Sequence, residues 1–364
     1  MYSLVALPYS SRTMNLAETM PRSRARRTAE IATVLILAAL IAVSFWSFQR
    51  YPALLKKLHA GSRLSVSGTI SFDALLKTDP TMTATERIAR TSVNWLWTNR
   101  FGMYFALPFG AAMMTLLQLI QRPKRFESAA ANVFCGAAAG APLGVCTNCA
   151  TPIAQSLLLG GASPRLTISA MISSPSFNPV VLAMTFALFP TTLAVMRVVA
   201  PAILLCMLPF LVSEHTPSIR RLKIEEQPPL PARLAGLVPR YFRNLLRITL
   251  LTAPWMVLAA VLGAAASEMI PAYATGLPVS ALGVIGVAIF GTLLPVPMAF
   301  DVALSWVLFH AGVPMPYIAA LLCTLGLVSV YSLSATGQLL SVKTALRLGV
   351  AVATIGSLFG LALL

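Results

Sequence analysis

Residues 140–153 read GAPLGVCTNCATPI, a polar and proline-containing stretch between two apolar ones. Proline and polar side chains interrupt a helix because they remove or compete for backbone hydrogen bonds. At membrane depth such a break is tolerated only where protein or a water-filled cavity satisfies the freed backbone groups. The stretch therefore predicts a broken helix inside an apolar domain, placed beside a cavity.

The composition around this stretch is that of a membrane protein. Of the 364 residues, 57% are apolar and only 10% are charged, whereas soluble domains carry about 25% charged residues. The apolar content excludes disorder, and five cysteines are too few for a disulfide scaffold. We therefore predict an all-α polytopic membrane protein. The net charge of +16 is then explained by basic loops that flank membrane helices, so a lipid bilayer is expected as partner and nucleic acid is not.

The charges divide the chain into segments. Five arginines precede Ile31–Phe48, an uncharged run long enough to span a bilayer, so the N-terminus is predicted to be cytoplasmic at the cell inner membrane. The predicted segments are a basic cytoplasmic tail (1–30), a first transmembrane helix (31–48), an external loop (49–100), a first membrane repeat (101–213), a cytoplasmic linker (214–247) and a second membrane repeat (248–364).

An internal repeat relates the two membrane segments. A shift of about 150 residues places Arg197 opposite Arg347, and each arginine is predicted to open the last apolar stretch of its half. The first repeat begins outside and ends inside, so a second repeat with equally many crossings must be inverted. Inverted repeats with short, interrupted helices indicate a secondary transporter with its site near the midplane. The alternative is that the halves resemble each other only because both are apolar.

The polar break carries the candidate substrate-binding residues. Pro152 is predicted in a first helical turn, which places Thr147, Asn148 and Cys149 at a helix N-terminus, directly after Cys146. The positive end of a helix dipole favours a thiolate, which can act as a nucleophile or a soft ligand. A second polar break follows the next short helix. It adds Ser174, Ser176 and Asn178 to the predicted cavity. The alternative for Cys146 and Cys149 is a pair of inert buried thiols.

Asp301 is the candidate proton-coupling residue. Six charged residues remain in the two repeats, namely Arg165, Arg197, Glu268, Asp301, Lys343 and Arg347. The four basic residues are expected at turns or helix starts and Glu268 at a helix end, whereas Asp301 lies in the second-half counterpart of the break. A carboxylate inside an apolar segment, with no basic residue nearby in sequence, is a functional-site hypothesis because burial favours its protonated form.

These motifs resemble a permease family. Gly140-x-Pro142-Leu143-x-x-Cys146 and Ser174-Pro175-x-x-Asn178-Pro179 are similar to motifs of the YraQ-type permeases, which include the ArsP organoarsenical efflux permeases. The resemblance covers roughly residues 101–364. Family members typically show Cys-Ser-Cys-Gly at this break; Cys146 matches the first cysteine, Asn148 stands at the second, and Cys149 lies one place later. The resemblance implies export of a small thiophilic solute, such as a trivalent organoarsenical, through the inner membrane.

We therefore expect a secondary permease coupled to protons, and not an enzyme. A permease for a different small anion is one alternative, and a membrane thiol-disulfide oxidoreductase that uses Cys146 and Cys149 is another. A structural zinc site would need four ligands, and no second Cys or His pair supplies them. No metal or other cofactor is expected, and the partner is a small-molecule substrate. The oligomeric state, and whether the short hairpins cross or re-enter the membrane, are left open.

Overall fold

A computed structural model describes residues 16–60, 75–79, 81–120, 126–213, 234–273 and 278–364. Every regular element within these ranges is helical. In chain order the α-helices are α1 (Leu16–Phe45), α2 (Tyr51–Ala60), α3 (Ala84–Ile120), α4 (Ala129–Gly140), α5 (Thr147–Leu159), α6 (Pro164–Ser176), α7 (Pro179–Leu188), α8 (Thr191–Leu211), α9 (Leu234–Tyr273), α10 (Ala281–Leu293), α11 (Phe300–His310), α12 (Met315–Leu322), α13 (Val330–Leu339) and α14 (Val342–Leu361).

The prediction of an all-α polytopic membrane protein is confirmed. Five helical segments in the described part of the chain are long and apolar enough to cross a bilayer: Arg27–Leu55, Ala84–Ile120, Thr191–Leu211, Gly236–Glu268 and Val342–Leu361. Helices α6 and α7, bent by 42° at the break between them, together make a sixth candidate. Large apolar side chains on the long helices point outward; Leu40, Leu250 and Phe210 are 60%, 64% and 86% exposed. Such surfaces are stable against lipid and not against water.

The first helix is longer than the predicted span of residues 31–48. Helix α1 passes into a π-helical segment, Trp46–Arg50, and continues directly as α2. Pro52 follows this segment, and because proline cannot donate to the carbonyl four residues earlier, the helix widens before it. The predicted tail (1–30) and external loop (49–100) are therefore partly helical. Residues 1–15, 61–74 and 80 of these two segments lie outside the described residues.

Long helices also extend into the other predicted connections. Helix α3 begins at Ala84, well before the predicted repeat boundary at residue 101, and α9 begins at Leu234, within the predicted linker (214–247). Residues 214–233 of that linker lie outside the described part. The starts of these two helices carry six of the fifteen basic residues in the predicted external loop and linker.

The two halves contain the same order of helices. A long helix, α3 or α9, is followed by four short helices and then by a helix of about 20 residues, α8 or α14. Helix α3 packs against α9, α5 against α13, and α7 against α11. These are the contacts that a two-fold repeat predicts. The opposite orientation of the halves across the bilayer stays a prediction.

Glycines allow α4 to lie directly against α6. A Cβ atom on Gly140 would stand 2.3 Å from the Ala170 carbonyl oxygen, and one on Gly136 would stand 2.1 Å from that of Leu166. Gly136 and Gly140 therefore form a packing face on α4, whereas Gly144 lies beyond the end of this helix. This close packing fixes α6 beside the polar break.

Candidate functional site

The break at residues 141–146 is shaped by a left-handed glycine. Helix α4 ends in a short 3₁₀ turn at Ala141–Leu143, and Gly144 follows with φ of 60°, a conformation that disfavours other residues. The Trp46 indole donates a 2.7 Å hydrogen bond to the Pro142 carbonyl, so the π-helical segment is tied to the break. Cys146 is the N-cap residue of α5, and Thr147, Asn148 and Cys149 lie in its first turn, at a helix N-terminus as predicted. Pro152 lies six residues into α5, so its predicted place in the first turn is wrong.

Cys146 and Cys149 form a buried dithiol. Their Sγ atoms lie 3.0 Å apart, and both residues are free cysteines that are at least 95% buried. The Cys146 thiol also lies 3.8 Å from the Asn99 side-chain oxygen on α3. Two thiols one helical turn apart on the same face can bind a single soft atom. The dithiol is therefore the chemically distinctive part of the break.

Glycine on α3 makes room for this dithiol. A Cβ atom on Gly102 would stand 2.4 Å from Cys149 Sγ, so any larger residue must displace the thiol. We expect Gly102→Ala to weaken binding of phenylarsine oxide, a general dithiol reagent, about 10- to 100-fold, since displacements of the order of 1 Å have effects of this size. Isothermal titration of the detergent-solubilised protein measures this affinity. Gly286→Ala is the matched control because nothing lies within 4 Å of its Cβ position; equal affinities for the two variants would contradict the prediction.

Thr147 and Asn148 join the break to the second half. The Thr147 hydroxyl donates to the Gly326 carbonyl, and the Asn148 amide donates to the Val296 carbonyl across 3.0 Å. The Asn148 side-chain oxygen also accepts a 3.4 Å hydrogen bond from Ser329, the N-cap of α13. Thr147 and Asn148 therefore hold the first-half break against residues 296–329 of the second half.

The residues predicted from the second break of the first half also bind main-chain groups. The Ser174 hydroxyl accepts from the Val145 N–H at 3.2 Å, and the Asn178 amide donates to the Gly144 carbonyl at 2.9 Å. The Asn178 oxygen caps α7, and the Ser176 hydroxyl donates to Ile172 within its own helix. Asn148 and Asn178 do not hydrogen-bond to each other. Most of these polar groups therefore support the break, and few are free to meet a solute.

A small cavity collects part of the predicted set. Its volume is about 10 Å³, which is enough for about one water molecule. Four of the eight predicted residues line it: Cys146, Thr147, Asn178 and Asp301. The rest of the wall comes mainly from residues 296–299 and Gly326 of the second half. Asn148, Cys149, Ser174 and Ser176 are not in the lining. The first-half break at residues 141–146 and the second-half break at residues 294–299, between α10 and α11, thus meet at one cavity.

Asp301 has a basic partner that its sequence neighbourhood does not show. Its carboxylate pairs with the guanidinium of Arg197 on α8, 104 residues away, and both side chains are at least 95% buried. The expectation that Arg197 lies at a helix start is wrong, because it is the seventh residue of α8 and fully buried. Its Nε and Nη1 atoms have no hydrogen-bond partner within the described residues. A buried ion pair of this kind couples α8 to α11.

Arg50 is the site residue that the sequence did not indicate. It was predicted to begin the external loop, but it ends the π-helical segment and is 93% buried. Its guanidinium lies 4.5 Å from the centre of the Phe45 ring, and it is close enough to both thiols to interact with them electrostatically. A cation over an aromatic ring gains about 0.5–2 kcal/mol, which is less than the several kcal/mol that burial of an ion costs.

Four helices begin around this region. Cys146, Asn178, Ala299 and Ser329 are the N-cap residues of α5, α7, α11 and α13. Hydrogen bonds and the shared cavity connect all four helix starts. Because a helix N-terminus carries unpaired N–H groups and partial positive charge, the electrostatic character of the region is positive.

The other cysteines and charged residues lie outside this region. Cys135, Cys206 and Cys323 are single free cysteines, and the described residues contain no group of three or more His, Cys, Asp or Glu side chains that could hold a metal ion. Arg165 donates to the Val212 and Pro209 carbonyls at the end of α8, and Glu268 pairs with Arg87. Arg165 therefore binds the end of a helix, and Glu268 contributes to a contact between two helices.

Comparison with known proteins found a distant relative of the chain. The chain is similar to UPF0718 protein YraQ of Escherichia coli (strain K12), with 27% identity over 222 residues. The alignment covers 59% of this chain and 63% of that protein, which is less than two thirds of the relative's length. No family model and no solved structure matches the sequence. The similarity supports the resemblance to YraQ-type permeases. Together with the apolar helices, it indicates a multi-pass membrane protein.

Proposed function

We propose that this protein is an inner-membrane secondary permease that exports a small thiophilic solute, with a trivalent organoarsenical as the substrate. The observation that carries the proposal is the free dithiol of Cys146 and Cys149, buried at the break where the two halves meet. Thiolates and thiols are soft ligands that prefer soft atoms. A buried dithiol beside a cavity is therefore suited to a thiophilic atom.

The binding step balances without any further reactant. A methylarsonous acid, CH₃As(OH)₂, exchanges its two hydroxyl groups for the two sulfur atoms. Two S–H and two As–O bonds break, two As–S bonds form, and the thiol protons leave with the hydroxyl groups as two water molecules. The step is reversible by hydrolysis, as transport requires, because the solute must leave on the other side.

Transport in this proposal couples to protons through Asp301. Protonation of this carboxylate would remove its charge and release Arg197, so the contact between α8 and α11 would open. Each proton that enters the cell supplies about 2.3 kcal/mol per 100 mV of membrane potential. The cavity between the two polar breaks would then open alternately to each side of the membrane, because the breaks belong to inverted repeats. In this proposal the N-terminus lies in the cytoplasm.

Cells that lack other arsenic pumps test the proposed substrate. We expect expression of the wild-type chain to raise tolerance to trivalent methylarsenical and to lower its accumulation, and expect Cys146→Ser and Cys149→Ser to abolish both effects because one thiol cannot chelate the arsenic atom. Cys206→Ser, which changes an exposed cysteine, is the control at equal expression. Unchanged tolerance in both dithiol variants would overturn the proposed substrate.

Everted membrane vesicles test the coupling. We expect uptake of the arsenical into these vesicles, which corresponds to efflux from cells, to depend on a proton gradient in the wild type. The double variant Arg197→Gln/Asp301→Asn removes both charges and should retain a folded protein whose transport no longer responds to the gradient. Uptake that still follows the proton gradient in this variant would contradict coupling at Asp301.

A further inference from the structure

The buried charges around the dithiol do not balance. Of the side chains that the structure describes, three charged ones are buried: Arg50, Arg197 and Asp301. Arg197 and Asp301 pair with each other, which leaves Arg50 without a carboxylate partner among the described residues, so the groups that interact with its charge are the Cys146 and Cys149 thiols. Buried charges in proteins are paired or bind an ion or ligand, because an isolated ion is unstable away from water. A thiolate can balance Arg50 only while the dithiol is unoccupied, so a further negative group is needed at this place once both sulfur atoms are bound.

No carboxylate described in the structure supplies that negative charge. The Arg50 Nε atom has no hydrogen-bond partner among the described residues and is shielded from solvent. Arg50 and Tyr331 on α13 both interact electrostatically with the dithiol, and Asp301 lines the same cavity as Cys146. The Phe45 ring covers one face of the guanidinium, while its stem passes within 3.9 Å of the position that a Cβ on Gly144 would occupy. The guanidinium is thus held at the break.

We infer that Arg50 is a binding residue for an anionic group of the transported solute. The inference rests on the proposed function, since it places the thiophilic atom of that solute on the dithiol. The solute class is then a thiophilic compound that also carries a carboxylate or a similar anion. The surrounding helix N-termini favour the same charge, because the positive end of each helix dipole stabilises anions. Arg50 is suited to this role by its planar fork of donors, which binds a carboxylate through two hydrogen bonds.

The chemistry of binding is unchanged by the added anion. In a carboxyphenyl arsenical, the arsenic atom exchanges two hydroxyl groups for Cys146 and Cys149 sulfur and two water molecules leave. The carboxylate stays ionised and pairs with the guanidinium of Arg50. No oxidant, reductant or additional proton donor is needed.

A pair of arsenicals that differ by one charge tests the inference. Isothermal titration of the full-length chain in detergent compares phenylarsine oxide, which is neutral, with 4-carboxyphenylarsine oxide, which carries the same arsenic group and a carboxylate. We expect the wild type to bind the carboxylated compound about 10- to 100-fold more tightly, the usual value of a hydrogen bond to a charged group. Arg50→Gln should remove this preference and leave the affinity for phenylarsine oxide unchanged.

Further variants separate the possible outcomes. Arg50→Lys keeps the charge and should keep part of the preference, which covers the case that Arg50→Gln fails to fold. Arg347→Gln, at an exposed position on α14, is the control for a general change of charge. Absence of a preference in the wild type would overturn the inference. An equal loss of both affinities in Arg50→Gln would also overturn it, because Arg50 would then act on the thiols and not on the carboxylate.

The proposed function can fail separately in the same experiment. Cys146→Ser should weaken binding of both arsenicals, because each is held by the dithiol. If it weakens neither while Arg50→Gln still removes the charge preference, the proposed substrate fails and the anion site stands. If binding depends on the dithiol without any preference for charge, the proposed function stands and the inference about Arg50 fails.

Discussion

Asp301→Asn is expected to destabilise the folded protein by about 3–5 kcal/mol, the usual cost of breaking a buried ion pair by removing one partner. The variant leaves the fully buried Arg197 guanidinium without a counter-charge, and two of its nitrogen atoms already have no hydrogen-bond partner among the described residues. Thermal unfolding in detergent, followed by size-exclusion chromatography, measures the loss. The effect should also appear as lower expression.

Two comparisons distinguish the loss of a buried pair from a general effect of charge. Replacing both partners, as in Arg197→Gln/Asp301→Asn, should recover much of the lost stability because no unpaired ion remains. Glu268→Gln breaks the half-exposed pair with Arg87, whose side chains are 26% and 31% exposed, and should cost about 1 kcal/mol or less. An equal loss in Asp301→Asn and Glu268→Gln would contradict a structural role for the buried pair.

This expected loss affects how the proton-coupling proposal is tested. A transport defect in Asp301→Asn alone does not separate lost coupling from lost folding, because the substitution affects both. The charge-neutral double variant separates them, since it is expected to fold while it has no carboxylate to protonate. The Arg197–Asp301 pair is therefore both a stabilising contact and the candidate switch for proton coupling.

Gly140→Ala is expected to have the second largest effect on stability. The added Cβ would stand 2.3 Å from the Ala170 carbonyl oxygen and 2.6 Å from the Ala170 Cα, so the backbones of α4 and α6 must separate. Overpacking of this kind costs about 1–3 kcal/mol. Because these helices flank the polar break, the separation should also move Cys146 away from its position. Thermal unfolding and phenylarsine oxide titration measure the two consequences.

Gly286→Ala is the matched control on α10. Its Cβ would have nothing within 4 Å, and alanine is a better helix former than glycine by about 1 kcal/mol, so this variant should be as stable as the wild type or more stable. If Gly140→Ala unfolds at the same temperature as Gly286→Ala, the close contact between α4 and α6 is not important for stability.

Local sequence was sufficient to predict the features that depend on neighbouring residues. Hydropathy and charge predicted the all-α membrane fold, and proline and polar residues predicted the break after Gly140. The placement of Thr147, Asn148 and Cys149 at a helix N-terminus was predicted from the same stretch, although α5 begins earlier relative to Pro152 than expected. Helix ends were less well predicted. For example, α1 and α2 form one long helix through Arg50, because a π-helical turn absorbs Pro52 without ending the helix.

Tertiary packing alone decided which charges are buried and with what partners. Arg197 and Asp301 are 104 residues apart, and Arg50 reaches the dithiol from a helix that local charge assigned to a loop. Hydropathy averages over neighbours in the chain, whereas an ion pair depends on which helices pack together. The sequence alone therefore determined a broken membrane helix with two thiols at its start. Only the packing of α1, α8 and α11 decided that one buried positive charge stands beside those thiols, because burial and pairing are properties of the assembled helices.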